Sequence, residues 1–425
     1  MFKKAVIFIV IFCVFSASAV FAADENLTVK IAVMGPGDEL YFWWGHIALV
    51  IEDSFTGRSR FYDYGLFSFD NDHFFYNFAF GRLLYSCGAS PFESNVANYV
   101  RTNRDVIIYT LDLPPYKRQE VRDFAEINIL PENRDYYYHH FRDNCSTRIR
   151  DILDIAADGQ FSARFKNTSG RFTFRGHVRR HTWFSPAADW FLNFLMGQDI
   201  DNPVTAWDEM FLPSEVGKNI SDFYYTGADG VKRKLVSSVE ERNFAIDRPV
   251  VKDYPYMKWQ THLVFSLALS LIFAAFFYLE SRKIRAGRIL AGISISLTGL
   301  FFGIASILAW FLTFFTNHDY TYHNMNIIFA TPLLLASCPL GIIYAFAKNQ
   351  NKKLLCAIFN RIVWGVSLSG IIVSMFLKLL PAFYQNNLID QMLFLPLAVL
   401  FALQPFGPGE QIKMLKTRKS LKRGL

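Results

Sequence analysis

The pattern of apolar and polar positions divides the chain into four parts. Lys3 and Lys4 precede an apolar run from Ala5 to Phe21, after which Ala22-Ala23-Asp24-Glu25 turns abruptly polar. That is the three-part pattern of a secretory signal peptide, so residues 1–22 are expected to form a leader cleaved after Ala22. The chain is mixed and polar up to Lys258, whereas from Leu263 onward long apolar stretches alternate with short basic ones. Membrane spans are expected at Leu263–Leu279, Ile289–Phe311, Ile327–Ala347, Leu354–Leu377 and Leu388–Phe401, the last short and interrupted by Pro396. The organisation is thus a leader, an exported domain over 23–262, an all-α transmembrane bundle of about five helices over 263–404, and a basic tail over 405–425.

Within the exported domain the periodicity alternates between two and three to four residues, which predicts an α+β fold. Leu27–Met34 is an alternating strand ended by Gly35-Pro36-Gly37. His46–Glu52 reads as a buried strand, with His46, Ala48, Val50 and Glu52 on one face and Ile47, Leu49 and Ile51 on the other. A turn over Asp53–Ser59 leads to a partner strand, Arg60–Phe69, and Val106–Leu111 is a further strand. Phe74–Leu84 is strongly aromatic, a helix or a groove wall. Lys117–Leu130 has the apolar stripe of a surface helix, carried by Val121, Phe124, Ala125 and Ile129. From Cys145 the pattern is helical again, because Ile149, Ile152, Leu153 and Ala156 recur at three and four residues and Asp158-Gly159 stops the run. Ser185-Pro186 opens a further amphipathic helix over Ala187–Met196.

Charge then orients the membrane part. Arg282, Lys283, Arg285 and Arg288 lie between the first two spans, Lys348, Lys352 and Lys353 between the third and fourth, and six basic residues in the tail, so all three segments are expected on the cytoplasmic side. Thr313–Asn326 and Pro381–Asn387 then face outward, on the side of the exported domain. The whole-chain net charge of +7 belongs to this topology. Asp24–His262 carries 27 Lys or Arg against 33 Asp or Glu, a net of −6, and no nucleic-acid partner is expected. The basic tail suits contact with anionic lipid.

The densest chemical signal is Tyr136-Tyr137-Tyr138-His139-His140-Phe141-Arg142-Asp143-Asn144-Cys145-Ser146-Thr147. Asp143 or Asn144 is suited to cap the helix that follows, which puts Cys145 in its first turn. Unpaired amides and the positive helix end favour an anionic sulfur there, and a nearby imidazole shuttles its proton. The candidate constellation is Cys145 as nucleophile, His46 as base and Asp63 as the residue orienting the ring, with Glu52, Tyr62 and Tyr64 as competitors for the third part. Backbone amides at Cys145 are candidates for holding an oxyanion. A disulfide between Cys87 and Cys145 is the alternative use of the two cysteines in this domain.

Trp43-Trp44-Gly45-His46-Ile47, Tyr62-Asp63-Tyr64-Gly65, Phe78–Gly81 and Asp143-Asn144-Cys145-Ser146-Thr147 occur here in an order that resembles the periplasmic domain of the bacterial Lnb-type lipoprotein N-acyltransferases. His318, Asn324, Asn326 and Pro332 look like that family's outward loop and following span. The family is similar in turn to the circularly permuted branch of the NlpC-type, papain-like enzymes, which includes the lecithin:retinol acyltransferases; His46 preceding Cys145 is the permuted order. The resemblance implies a multi-pass protein of the bacterial inner membrane with its catalytic domain on the periplasmic side, acting without cofactor or metal. It implies an acyl chain passed from a membrane phospholipid to a Cys145 thioester and then to the free α-amine of a diacylated lipoprotein. Trp43, Trp44, Tyr62, Tyr64 and Asn144 in the exported domain, and His318, His323, Asn324 and Asn326 in the outward loop, are the candidates for substrate contact. The aromatic stretches Tyr41–Trp44 and Phe74–Phe80 are candidates for lining an acyl groove.

Other functions fit the same residues: a peptidoglycan amidase or peptidase using the same Cys–His machinery, a phospholipase or thioesterase in which water resolves the intermediate, or a non-catalytic envelope scaffold that binds lipoproteins. His177 and His181 are four apart without a carboxylate or Cys to complete a metal set, and Gly176 weakens a helix there.

Overall fold

The computed structural model describes residues 25–67 and 73–404. The expected leader with its cleavage after Ala22, and the basic tail over 405–425, lie outside the described residues. The chain forms two compact units: one comprises the described residues up to Phe78 with Arg82–Phe172 and Pro203–Val250, the other Ala79–Gly81, Thr173–Asn202 and the described residues from Val251.

Alternation of apolar residues builds the first unit. Its strands are β1 (Leu27–Met34), β2 (His46–Asp53), β3 (Arg58–Leu66), β4 (Leu84–Pro91), β5 (Val106–Leu111), β6 (Asp135–Tyr137), the short hairpin pair β7 (Tyr224–Thr226) and β8 (Lys232–Lys234), and β9 (Val236–Asn243). Seven of them form one sheet in the order β6-β4-β3-β2-β1-β5-β9, antiparallel at every pairing. The helices interleaved with them are α1 (Phe74–Ala79), α2 (Phe92–Arg101), α3 (Pro115–Asn128) and α4 (Cys145–Ala156).

Each face of the sheet has its own core. Ile47, Leu49, Ile51, Tyr62 and Tyr64 pack with Val121 and Ala125 of α3 and with Ile149, Ile152 and Leu153 of α4. Ala48, Val50 and Phe61 pack on the opposite face with Phe92 and Val96 of α2. A one-residue slip of β2 would exchange these two sets, so the register of the strand that opens with His46 is strongly specified. Leu27 opposes Asp53 and Met34 opposes His46 across β1 and β2. Gly45 enters β2 at φ +80°, and a Cβ there would lie 2.7 Å from the Met34 carbonyl oxygen, so only glycine delivers His46 to its position.

In the second unit the helices are α5 (Phe174–Thr182), α6 (Pro186–Leu195), α7 (Trp259–Ser281), α8 (Arg285–Phe315), α9 (Ser337–Phe346), α10 (Gln350–Leu377) and α11 (Leu388–Leu403). The segment around His177 is helical despite Gly176, with Thr173 capping it through the Gly176 amide. Arg175 of α5 is buried, bonds Asp201 at 2.8 Å and donates to the carbonyls of Asn193, Met196 and Gly197, which fixes the end of α6. Among the described residues, α7, α8 and α10 are long and apolar enough to cross a membrane, and two shorter apolar helices accompany them. The span expected over Ile327–Ala347 is not one helix: it is a 3-10 turn at Met325–Ile328, a second at Pro332–Ala336 and then α9. Pro332 has no N–H to give, and it holds Thr331 in an extended conformation, φ −95° and ψ 145°, so the helix cannot run through. Trp310 of α8 donates to the Ala330 carbonyl at 3.0 Å, satisfying an oxygen at the break.

Candidate functional site

The site starts from two neighbouring strands. Ala48 of β2 opposes Asp63 of β3, which makes Asp63 the diagonal neighbour of His46 on the α2 face. His46 Nε2 donates to Asp63 Oδ1 at 2.7 Å, and the two side chains are only 15% and 16% exposed. Tyr99 of α2 lies over the imidazole with centroids 6.3 Å apart and ring planes 28° from parallel. Burial, the largest influence on the imidazole, favours its neutral form, but the negative charges of Tyr99, Asp63 and Cys145 and the Asp63 hydrogen bond outweigh it. The His46 pKa therefore stands well above 6.5. Tyr99 contributes only when ionised, and burial pushes its own pKa up, so at neutral pH Asp63 is the steady source of this effect. With Nε2 committed to Asp63, Nδ1 is the nitrogen left for a second proton partner. Glu52, a competitor for the third part, pairs with Lys30 instead at 2.7 Å.

The cysteine is delivered by a helix cap. Asn144 is the N-cap of α4, its Oδ1 accepting from the Ser146 and Thr147 amides at 2.9 and 3.0 Å while Thr147 Oγ1 accepts from the Asn144 amide at 2.8 Å. The Asn144 Nδ2 donates to the carbonyls of His140 and Phe211 at 2.7 and 3.0 Å. Both ends of this buried amide are committed to the chain, and together they hold Cys145 at the helix start. Asn144→Ala is expected to lower the stability of the domain by about 1–2 kcal/mol, through the lost cap and two orphaned carbonyls. The thermal midpoint of the full chain reads that loss. Asp143, the other candidate cap, instead holds Arg148 through two contacts of 2.6 and 2.8 Å.

Cys145 is a free thiol, half-buried, and so is the buried Cys87, whose Sγ donates to the Asn128 carbonyl at 3.0 Å. No disulfide joins them. Gly65 sits where β3 shifts register against β4, at φ +95°. A Cβ built on it would make ordinary contacts, 3.8 Å from the Cβ of Cys145 and 3.9 Å from the Tyr136 hydroxyl, so it is the positive φ that favours glycine here, and both groups lie beside the end of the strand that carries Asp63. Cys145 also acts electrostatically on His46, Tyr99 and Tyr136, which gathers sulfur, imidazole–carboxylate pair and phenol into one locality.

A cavity of about 630 Å³ lies beyond Gly65, lined by Leu66, Phe67, Phe74, Phe78, Leu84 and Tyr85 among others, with Arg82 and Arg134 among its polar members. Phe74 and Phe78 are thus a groove wall, and they are helical as well. Tyr41 extends this surface through its edge contact with Phe67 at 5.9 Å. Trp43 and Trp44 are placed otherwise: Trp43 Nε1 donates to the Asp38 carbonyl at 3.0 Å, and Trp44 packs edge-on against His140 at 5.0 Å.

The remaining sequence candidates have structural surroundings. Tyr62 and Tyr64 are buried in the core of the α4 face, and the Tyr62 hydroxyl donates to Glu126. In the second unit, Asn324 donates to the carbonyls of Phe194 and Leu195, and Asn326 donates to Phe194 and Asp390 and accepts from Asn387. These buried amides tie their loop to its own unit. His318 is buried against Tyr320, with Nδ1 2.9 Å from its hydroxyl. His323 is 67% exposed and pairs with Asp199 at 3.0 Å. Among the described residues no group of His, Cys, Asp and Glu is arranged to hold a metal ion. Two residues near the site are given no role by the sequence alone, Tyr99 and Tyr136. Tyr99 extends the Phe92–Val96 stripe by three residues, whereas Tyr136 opens the dense aromatic run before Cys145 with nothing local to set it apart from Tyr137 and Tyr138.

Fold and site define a multi-pass membrane protein whose α+β domain brings a helix-start thiol into the neighbourhood of an imidazole–carboxylate pair. Residues 21–180 match the family described as the Lnb N-terminal periplasmic domain, which is consistent with the lipoprotein N-acyltransferase resemblance. No curated protein and no solved structure matches the chain.

Proposed function

We propose that the protein is a cysteine-dependent lipoprotein N-acyltransferase of the bacterial inner membrane, acting from the periplasmic side through a circularly permuted papain-like domain. What supports the reading is Cys145 at a capped helix start, the Asp63–His46 hydrogen bond, and the electrostatic influence of Cys145 on that imidazole. His46 takes the thiol proton, and the sulfur attacks the carbonyl carbon of a phospholipid ester. The tetrahedral adduct collapses to a thioester as His46 protonates the departing glycerol oxygen, and the lysophospholipid leaves. The neutral α-amine of a diacylated lipoprotein then attacks the thioester, loses a proton to His46 and expels the sulfur, leaving an amide. An amide is far more stable than a thioester, so the second step runs forward. The aromatic cavity beyond Gly65 suits the acyl chain, whose transfer to water would cost about 0.8 kcal/mol per CH₂.

The test is incubation of the purified full chain with phosphatidylethanolamine bearing a labelled acyl chain, with and without a diacylated lipopeptide. Mass spectrometry is expected to find the acyl group on Cys145 in the absence of acceptor and on the peptide amine in its presence. Acyl groups on neither, in folded protein, would overturn the proposal. Release of free fatty acid alone would make the protein a phospholipase or thioesterase, and cleavage of muropeptides a cell-wall hydrolase.

A further inference from the structure

The cap that places Cys145 also consumes the donors around it. A tetrahedral intermediate at a carbonyl carries a full negative charge on oxygen, and sites that stabilise it present more than one fixed donor. Asn144 takes the Ser146 and Thr147 amides, which leaves the Cys145 amide as the one backbone donor of this turn without an acceptor among the described residues. A second donor has to come from a side chain.

Tyr136 meets that requirement. Its residue is 9% exposed, and its hydroxyl is buried without any hydrogen-bond partner among the described residues. An unsatisfied buried hydroxyl costs free energy, so one aimed at a reactive centre asks for a reason. Backbone pairing sets Tyr136 of β6 opposite Tyr85, and the Arg148 guanidinium, fixed by Asp143, lies 4.3 Å from the ring centroid. The hydroxyl and the Cβ of Cys145 both lie within 4 Å of the point where Gly65 lacks a side chain. Burial foremost, and then the Cys145 and Tyr138 charges, push the phenol pKa far up, which keeps the proton on oxygen across the working pH range.

We infer that Tyr136 is the side-chain donor of the oxyanion hole, its O–H and the Cys145 N–H together receiving the carbonyl oxygen during transfer. This rests on the acyltransfer reading above. As sulfur bonds to the carbonyl carbon, the C=O π pair moves to oxygen and both donors shorten their hydrogen bonds to it. When the pair returns, the C–O bond to glycerol breaks, His46 supplies the leaving proton, and Tyr136 ends the step with its own proton unchanged.

Tyr136→Phe in the full chain tests this by single-turnover formation of the Cys145 acyl adduct from the same labelled phosphatidylethanolamine, beside wild type. Adduct formation is expected to slow by about 10²–10³-fold. The thermal midpoint is expected to hold or rise, since the hydroxyl lost has no partner, and the pH profile of Cys145 alkylation by iodoacetamide is expected to stay in place. A wild-type rate in Tyr136→Phe would overturn the inference and leave the acyltransfer reading standing. A slowed rate with a displaced alkylation profile would overturn it too, because the hydroxyl would then act on the thiol. No adduct in wild type would overturn the acyltransfer reading and the inference with it.

Discussion

Cys145→Ser is expected to lower acyl transfer by about 10⁵-fold or more while the protein still folds, and no acyl adduct is expected at position 145. The size of the effect follows from what the residue is asked to do. A serine hydroxyl is harder to ionise than a thiol, and the chain has arranged a helix start and a protonatable imidazole, without a metal set among the described residues, to activate what stands there. Serine is compatible with the first turn of α4, whose cap runs through Asn144, Ser146 and Thr147 and does not involve the sulfur. Cys145 is half-buried and free, so no disulfide or metal is lost. The measurement is adduct mass spectrometry with thermal unfolding in parallel. Retention of lipoprotein maturation by a folded Cys145→Ser protein would point instead to a non-catalytic envelope scaffold.

His46→Ala should reduce transfer by about 10⁴-fold or more, since it removes the group that handles the proton in every step. Asp63→Asn separates the contributions. It keeps a hydrogen-bond partner for Nε2 but removes the negative charge that offsets burial, so the His46 pKa is expected to fall from well above 6.5. The basic end of the pH–rate profile should move to lower pH in the variant. The same shift carries a stability signature of definite sign. A pKa raised in the folded state means that protonated His46 stabilises the fold fully below pH 6.5, and that this contribution is lost as pH rises through the elevated folded value. Asp63→Asn should therefore destabilise the domain more at pH 6 than at pH 10, measured as the difference in thermal midpoint. A uniform loss across that range would assign Asp63 to packing alone.

The strands β1 and β5 are legible in the sequence to their end residues, and α4 from its first, because each is an apolar pattern with a stop or cap beside it. The strands β4, β6 and β9 leave no legible pattern in the sequence. β4 carries Ser, Cys, Gly, Ala and Ser in succession, and β9 is nearly all exposed Ser, Glu and Arg. Such segments become strands only because a neighbour offers an unpaired row of amides and carbonyls; β6, three residues long, exists by pairing with β4. In the membrane part hydropathy registered apolar composition over Ile327–Ala347 but not continuity, which Pro332 removes. The candidates Asn324 and Asn326 show the same blindness, since polar type alone cannot tell an amide facing a substrate from one closing its own backbone.

What the sequence determined by itself is local: a cap of Asn144 before Cys145, a strand opening on His46, a glycine that permits each turn, and apolar helices long enough to span a bilayer. These follow from backbone conformation and burial over a few residues. Only the tertiary structure decided that Asp63 rather than Glu52 meets His46, that Gly65 lies beside Cys145, and that the unpaired hydroxyl of Tyr136 lies close to both. Those relations depend on strand register and on which helix covers which face, free energies summed over contacts far apart in the chain, and so no window of the sequence contains them.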